Sequence, residues 1–180
     1  STLLKKSLLD ATVIVGDGCG TVIMADAEKV EGLAGRISGI IKTTPIKTVI
    51  SYVGKSNVLN PDTCEINQVK GVKMALSKGY KNIAVTISDA MDILEIKKIE
   101  KDTPCNILII GVHTTGATRE DAAIFMEYGD IITTCMCEEI KVLGDKKGIY
   151  KTKTKIPIYA PSEKGKDAIE LRLKEIEKKN

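Results

Sequence analysis

Apolar positions in this chain fall into short runs separated by longer amphipathic stretches. Residues 11–15 (Ala-Thr-Val-Ile-Val), 82–87, 107–112, 130–134 and 156–159 read as strands, and residues 148–154 alternate as another. Between them the apolar residues recur at helical spacing. The spacing predicts a short amphipathic helix over 1–9, then helices over 26–41, 45–54 and 65–78. Further helices are expected from Ser88-Asp89 to about residue 101, over 119–128 and over 137–143, with a last one starting at Ser162. Asp26, Thr118 and Ser162 stand where N-caps are expected, and Pro45 suits a first turn. Val58-Leu59 reads as a short strand, and residues 21–24 as an edge strand or extended loop.

Strands alternating with helices of about a dozen residues imply βαβ units. The expectation is one α/β domain over residues 1–180: a mostly parallel, Rossmann-like sheet in three α/β/α layers with right-handed crossovers. No internal repeat, low-complexity tract or linker interrupts it.

Composition narrows the setting. With one Phe, five Tyr and no Trp, the core must be aliphatic. The net charge of +3 owes much to lysines near the C-terminus and reads as solvated surface. Without an aromatic stacking platform, nucleic acid is not an expected partner. No apolar run approaches the ~20 residues of a membrane span. Five irregularly spaced cysteines and no signal peptide argue against a disulfide framework and for a reducing cytoplasm. The chain starts with Ser, as a processed product or a piece of a longer protein would.

In an open parallel sheet, ligands bind beyond the C-terminal strand ends. Loops 16–20, 86–89, 112–118 and 133–137 all follow predicted strands and are expected on one edge. Candidate ligand-binding residues are therefore Asp17, Gly18, Cys19, Gly20, Ser88, His113, Thr114, Thr115, Gly116 and Thr134. Loop 112–118 carries the only histidine, several hydroxyls and the free amides of a helix start, which suit a phosphate or carboxylate. His113 is read either as an acid/base or ligating group or as a hydrogen-bonded strand-end residue. The glycines of Gly16-Asp17-Gly18-Cys19-Gly20 permit a tight turn and close approach of a ligand to the backbone. Asp17 and Cys19 have a position that suits a nucleophile or ligand, with a small apolar Cys as the alternative. The loop lacks the dinucleotide fingerprint and the Lys-Ser/Thr of a P-loop, so those sites are disfavoured. Cys135 and Cys137, with His113, are weak candidates for a soft-metal site, because Cys-x-Cys is a loose pattern. No nucleophile elbow is present.

Several stretches together resemble the methanogenesis marker protein 8 family of methanogenic archaea. They include Leu9 to Val15, Gly18-Cys19-Gly20-Thr21-Val22-Ile23, Gly32 to Gly39, Thr44-Pro45-Ile46 and Ile66 to Val72. Gly79-Tyr80, Ala84-Val85-Thr86, His113-Thr114-Thr115-Gly116 and Ile156-Pro157-Ile158 continue the match over nearly the whole chain. The resemblance implies a cytoplasmic methanogen protein linked to methanogenesis, and it assigns no catalytic residue. The resemblance also implies a longer N-terminal region with further cysteines and histidines, which does not match within residues 1–180.

Three functions follow as expectations. One is binding of a small anionic ligand or cofactor, of unspecified identity, at the strand ends. Another is an enzyme using Cys19 or His113. The third is an assembly or maturation factor for a methanogenesis enzyme, acting through protein contacts with or without a bound metal. A homo-oligomer is compatible with each.

Overall fold

The computed structural model describes residues 1–34, 42–147 and 149–178. Among the described residues the protein is α/β, with eight α-helices and a seven-stranded mixed sheet of order β2-β1-β3-β4-β5-β7-β6. Packing groups the chain into two compact units, one of Ser1–Thr86 with Thr103–Ile107, the other of Ile87–Asp102 with Leu108–Asn180.

In the first unit, β1 (Ala11–Gly16) is buried along almost its whole length and turns back into β2 (Gly20–Met24), which pairs with it antiparallel. β3 (Asn82–Ile87) lies parallel on the other side of β1, with Ala11 opposite Ile83. Helix α1 (Thr2–Lys5) is shorter than its apolar pattern predicts and ends before Ser7, whose φ is 56°. Helix α2 (Ala27–Ala34) is capped as expected, the Asp26 carboxylate accepting from Glu28 N and Lys29 N. The remainder of that predicted helix, with Arg36, lies outside the described residues. α3 (Lys47–Val53) follows, and α4 (Gln68–Ser77) is capped by Asn67. Ile14, Val22, Met24, Val30, Ile50 and Val53 form an aliphatic core here.

Segment 58–65 covers the outer edge of β2. Leu59 N donates to Thr21 O (2.9 Å), Thr21 N donates to Glu65 O (3.0 Å), and Val22 bridges Val58. The predicted strand at Val58-Leu59 is thus a single bridge. Gly20 makes this fit possible: its φ is +68°, and a Cβ there would run into the Cys64 carbonyl. Buried Gln68 ties the layer, donating to Thr86 O (2.8 Å) and Val13 O (3.2 Å) and accepting from Thr21 Oγ1 (2.7 Å).

β4 (Asn106–Gly111), which belongs to the second unit from Leu108 onward, and β5 (Ile131–Thr133) run parallel. β7 (Ile158–Ala160) lies antiparallel to β5, and β6 (Tyr150–Lys151) antiparallel to β7. The sheet is therefore mixed, and the expectation of a mostly parallel one is corrected. The reason is the short connections at β1–β2 and β6–β7, which cannot carry the crossover a parallel pair needs. Helices α5 (Ala90–Asp102), α6 (Arg119–Tyr128), α7 (Glu138–Lys146) and α8 (Glu163–Glu177) belong to this unit. α7 runs through Gly144, past the predicted end at residue 143, and the Tyr159 ring lies against that glycine where a Cβ would clash. Buried Asp130 is held by Ile109 N (2.7 Å), Ser162 Oγ (2.6 Å) and Lys164 Nζ (3.3 Å), which fixes the start of α8 against β4 and β5. No helix among the described residues is long and apolar enough to cross a membrane.

Candidate functional site

Because β4 and β5 are parallel, their C-terminal ends leave the sheet on the same side, and loops 112–118 and 133–137 are neighbours. Hydroxyl side chains stitch the two loops together. Thr114 Oγ1 lies 2.8 Å from Thr133 O and 2.9 Å from Thr134 O, both of which can accept its proton. Thr115 Oγ1 donates to Cys135 O at 2.6 Å, and Thr133 Oγ1 donates to Gly111 O at 3.0 Å. Threonines suit this place because their hydroxyls bond backbone carbonyls where the strand ladder ends.

The backbone here is unusual. His113, Cys135 and Met136 are left-handed, with φ of 54°, 41° and 67°. Residues with a Cβ enter that region at a cost on the order of 1–3 kcal/mol each and persist only where the surroundings hold them. What is held in this case is a sulfur. Burial pushes the Cys135 thiol up, but the Thr133 hydroxyl, the backbone N–H groups of Thr114 and His113, and the Thr114 hydroxyl outweigh it. The thiol is lowered below its ordinary value, which favours the thiolate. Cys135 is half-buried, while Met136 beside it is 81% exposed.

The helix start behind the loop is already occupied. Thr118 caps α6 by accepting from Asp121 N (3.1 Å), and the Asp121 carboxylate accepts from Thr118 N (2.9 Å). Glu120 and Asp121 place acidic groups in the first turn. The chain's own capping box thus takes Asp121 N and Thr118 N, and its carboxylate complements the helix dipole predicted to attract an anion.

The other candidates lie as follows. Ser88 is exposed at the end of β3, before Asp89, which accepts from Met91 N. Thr134 is buried, and its carbonyl also accepts from Cys137 N (2.6 Å). Gly116 is exposed in a left-handed turn, and His113 is half-buried. Cys137 is buried, with its thiol donating to Ala117 O (3.7 Å), so it and Cys135 serve separate partners. Among the described residues, no group of three or more His, Cys, Asp and Glu is placed to hold a metal ion.

Residues 16–20 belong to the first unit. Gly18 N donates to Thr43 Oγ1 (2.8 Å), and that hydroxyl donates to Asp17 Oδ1 (2.5 Å). Ile46 packs on Gly18 and donates its N–H to Gly18 O at 2.9 Å. The glycines bring the protein's own chain close to this turn. Cys19 is fully buried, and burial, with Cys64 and Asp17 nearby, pushes its thiol up to about 11. Cys19 is thus placed as a small apolar core residue would be.

The sequence alone misses Thr133 and the backbone donors of His113 and Thr114. Thr-Thr-Cys at a strand end is the signal for the first. Nothing in the residue types announces a left-handed Cys135.

A family model described as "Uncharacterized protein conserved in archaea (DUF2099)" matches residues 1–174. "Uncharacterized protein MJ0054" of Methanocaldococcus jannaschii is 43% identical over 180 residues, covering 97% of this chain and 62% of that protein. The chain therefore spans about three fifths of the length of that relative. No solved structure matches significantly. With nearly its whole length accounted for by one family model, the chain belongs to the DUF2099 family of proteins conserved in archaea.

Proposed function

We propose that this archaeal protein works through the sulfur of Cys135, as a cytoplasmic protein that binds a small electrophilic ligand at loops 112–118 and 133–137. The observation that carries the reading is the seat of that sulfur, beside the Thr133 hydroxyl and on the N–H groups of His113 and Thr114. Such donors favour a thiolate, the form that attacks. In the reaction the sulfur pair forms a bond to the electrophilic atom of the ligand, and that atom releases its leaving group. His113, Thr115, Gly116 and Thr134, from the same loops, are the residues proposed to border the ligand. A small anionic ligand finds less support, because the Asp121 carboxylate folds back on Thr118 and, with Glu120, puts negative charge in the first turn of α6. Cys19 finds less support than Cys135 as the reacting group because of its burial.

The test is alkylation of the whole protein by iodoacetamide across a pH series, with peptide mapping by mass spectrometry. Half-buried Cys105 serves as the internal reference. Cys135 is expected to react first, with a midpoint below the ordinary range of a cysteine thiol. If Cys135 reacts no faster than Cys105 at neutral pH, the reading fails.

A link to methanogenesis is a second reading. It is supported by the spread of motifs resembling methanogenesis marker protein 8 and by a relative from Methanocaldococcus jannaschii. Deletion in a genetically tractable methanogen should impair growth on methanogenic substrates, and Cys135→Ala should fail to restore it. Full restoration by Cys135→Ala, with a partner recovered by pull-down, would favour a maturation factor acting through protein contacts.

A further inference from the structure

Resting on the Cys135 reading, we infer that Thr133 is a positioning residue that stabilises the reactive state of the Cys135 sulfur by redirecting its single hydroxyl proton. Thr133 Oγ1 stands 3.0 Å from Gly111 O and 3.2 Å from Cys135 Sγ. A hydroxyl has one proton to give and two lone pairs to accept with. With the sulfur protonated, S–H donates to Thr133 Oγ1 and the hydroxyl donates to Gly111 O, so each group has a partner. When the sulfur loses its proton to solvent, Oγ1 loses that donor. The hydroxyl then rotates about Cβ–Oγ1 and donates to the sulfur instead. Both geometries lie within bonding reach without moving the chain. A charge-assisted bond to sulfur replaces a neutral one to a carbonyl, and charge-assisted bonds are the stronger kind.

The other donors at the sulfur differ in kind. The N–H groups of His113 and Thr114 are fixed to the backbone, and the Thr114 hydroxyl is shared with Thr133 O and Thr134 O. Charged and titratable side chains on the flanking segments are His113, Arg119, Glu120, Asp121, Glu138 and Glu139. Asp121 is engaged by Thr118, and the two glutamates of α7 sit in its first turn. None of these is among the groups named above as acting most on the thiol, all of which are neutral donors. Removing the Thr133 hydroxyl leaves the backbone N–H groups in place and, unlike removing that of Thr114, keeps the bonds to Thr133 O and Thr134 O.

The experiment compares wild type, Thr133→Val and Thr133→Ser in the iodoacetamide assay, with the Cys105 rate as reference. Valine keeps the shape of threonine and its strand preference while deleting the hydroxyl. Thr133→Val is expected to slow Cys135 about tenfold near neutral pH, the size of one lost hydrogen bond to a charged group. Thr133→Ser is expected to react within about twofold of wild type, since it restores the hydroxyl. At a pH where every thiol is ionised, the Val and wild-type rates should converge, which a change in access would not produce. An unchanged neutral-pH rate in Thr133→Val, or a Ser variant as slow as Val, overturns the role of Thr133 while leaving the Cys135 reading standing. A slow Cys135 in wild type removes the Cys135 reading itself.

Discussion

Replacing Gly20 by alanine tests the claim that this glycine exists for a close approach within the chain. Two costs act together. The φ of +68° is a left-handed geometry that disfavours a Cβ by about 1–2 kcal/mol. The added methyl also meets the Cys64 carbonyl and, at 2.7 Å, Glu65 O. Overpacking of this kind costs typically about 1–3 kcal/mol, and backbone gives way less readily than a flexible side chain. Alanine recovers about 0.4–1 kcal/mol by restricting the unfolded chain. The net expectation for Gly20→Ala is a loss of about 2–4 kcal/mol. Gly79 provides the control, because its φ is +89° and a Cβ there meets nothing within 4 Å. Gly79→Ala should lose only about 1 kcal/mol, the dihedral cost less the entropy gain. Urea denaturation followed by circular dichroism measures both, with shifted midpoints and equal slopes. If Gly20→Ala loses no more than Gly79→Ala, the steric argument for segment 58–65 is wrong.

Further outcomes follow from caps and carboxylates. Thr118→Ala removes one side of the capping box of α6 and should cost about 1–2 kcal/mol in urea denaturation, with Thr118→Ser recovering most of it. Asp10 accepts from the backbone N–H groups of Asn82 and Lys81, which hold its carboxyl below the usual range against a small opposing effect of burial. A lowered folded-state pKa contributes stability that is present above the unfolded value and lost as pH falls through the folded one. Asp10→Asn should therefore be less stable than wild type near neutral pH, with the gap closing in acid as the wild-type carboxyl protonates. A gap that stays constant through the carboxylate range would remove Asp10 as its source.

The parts of the fold written in local pattern were legible. Continuous aliphatic runs gave β1, β3 and β4, and the caps Asp26, Thr118 and Ser162 mark helix starts where the structure has them. Strand direction was less legible. Residues 21–24 and 158–160 are apolar whichever way they run, and the pairing is decided by the short connections that precede them. Of the candidate site, the pairing of loops 112–118 and 133–137 was foreseeable from strand order. The local chemistry was not. A glycine-rich turn has the same composition whether a ligand or Ile46 packs on Gly18, and a helix N-terminus looks open until Asp121 is seen to fold back on Thr118. The place of Cys135 depends on backbone angles that its residue type disfavours.

The cover that segment 58–65 lays over β2 also governs what the protein does when damaged. β2 reads Gly-Thr-Val-Ile-Met, uncharged and buried along its full length. A strand of that character with bare N–H and C=O groups is a template for another chain. The bonds from Leu59 to Thr21 and from Thr21 to Glu65 occupy the N–H and C=O of Thr21 on that edge. A single proteolytic cut near Asn60-Pro61-Asp62 would loosen this guard together with Val58 and Cys64, which it anchors in the same core. The nicked protein should aggregate faster than the intact one, as light scattering would show.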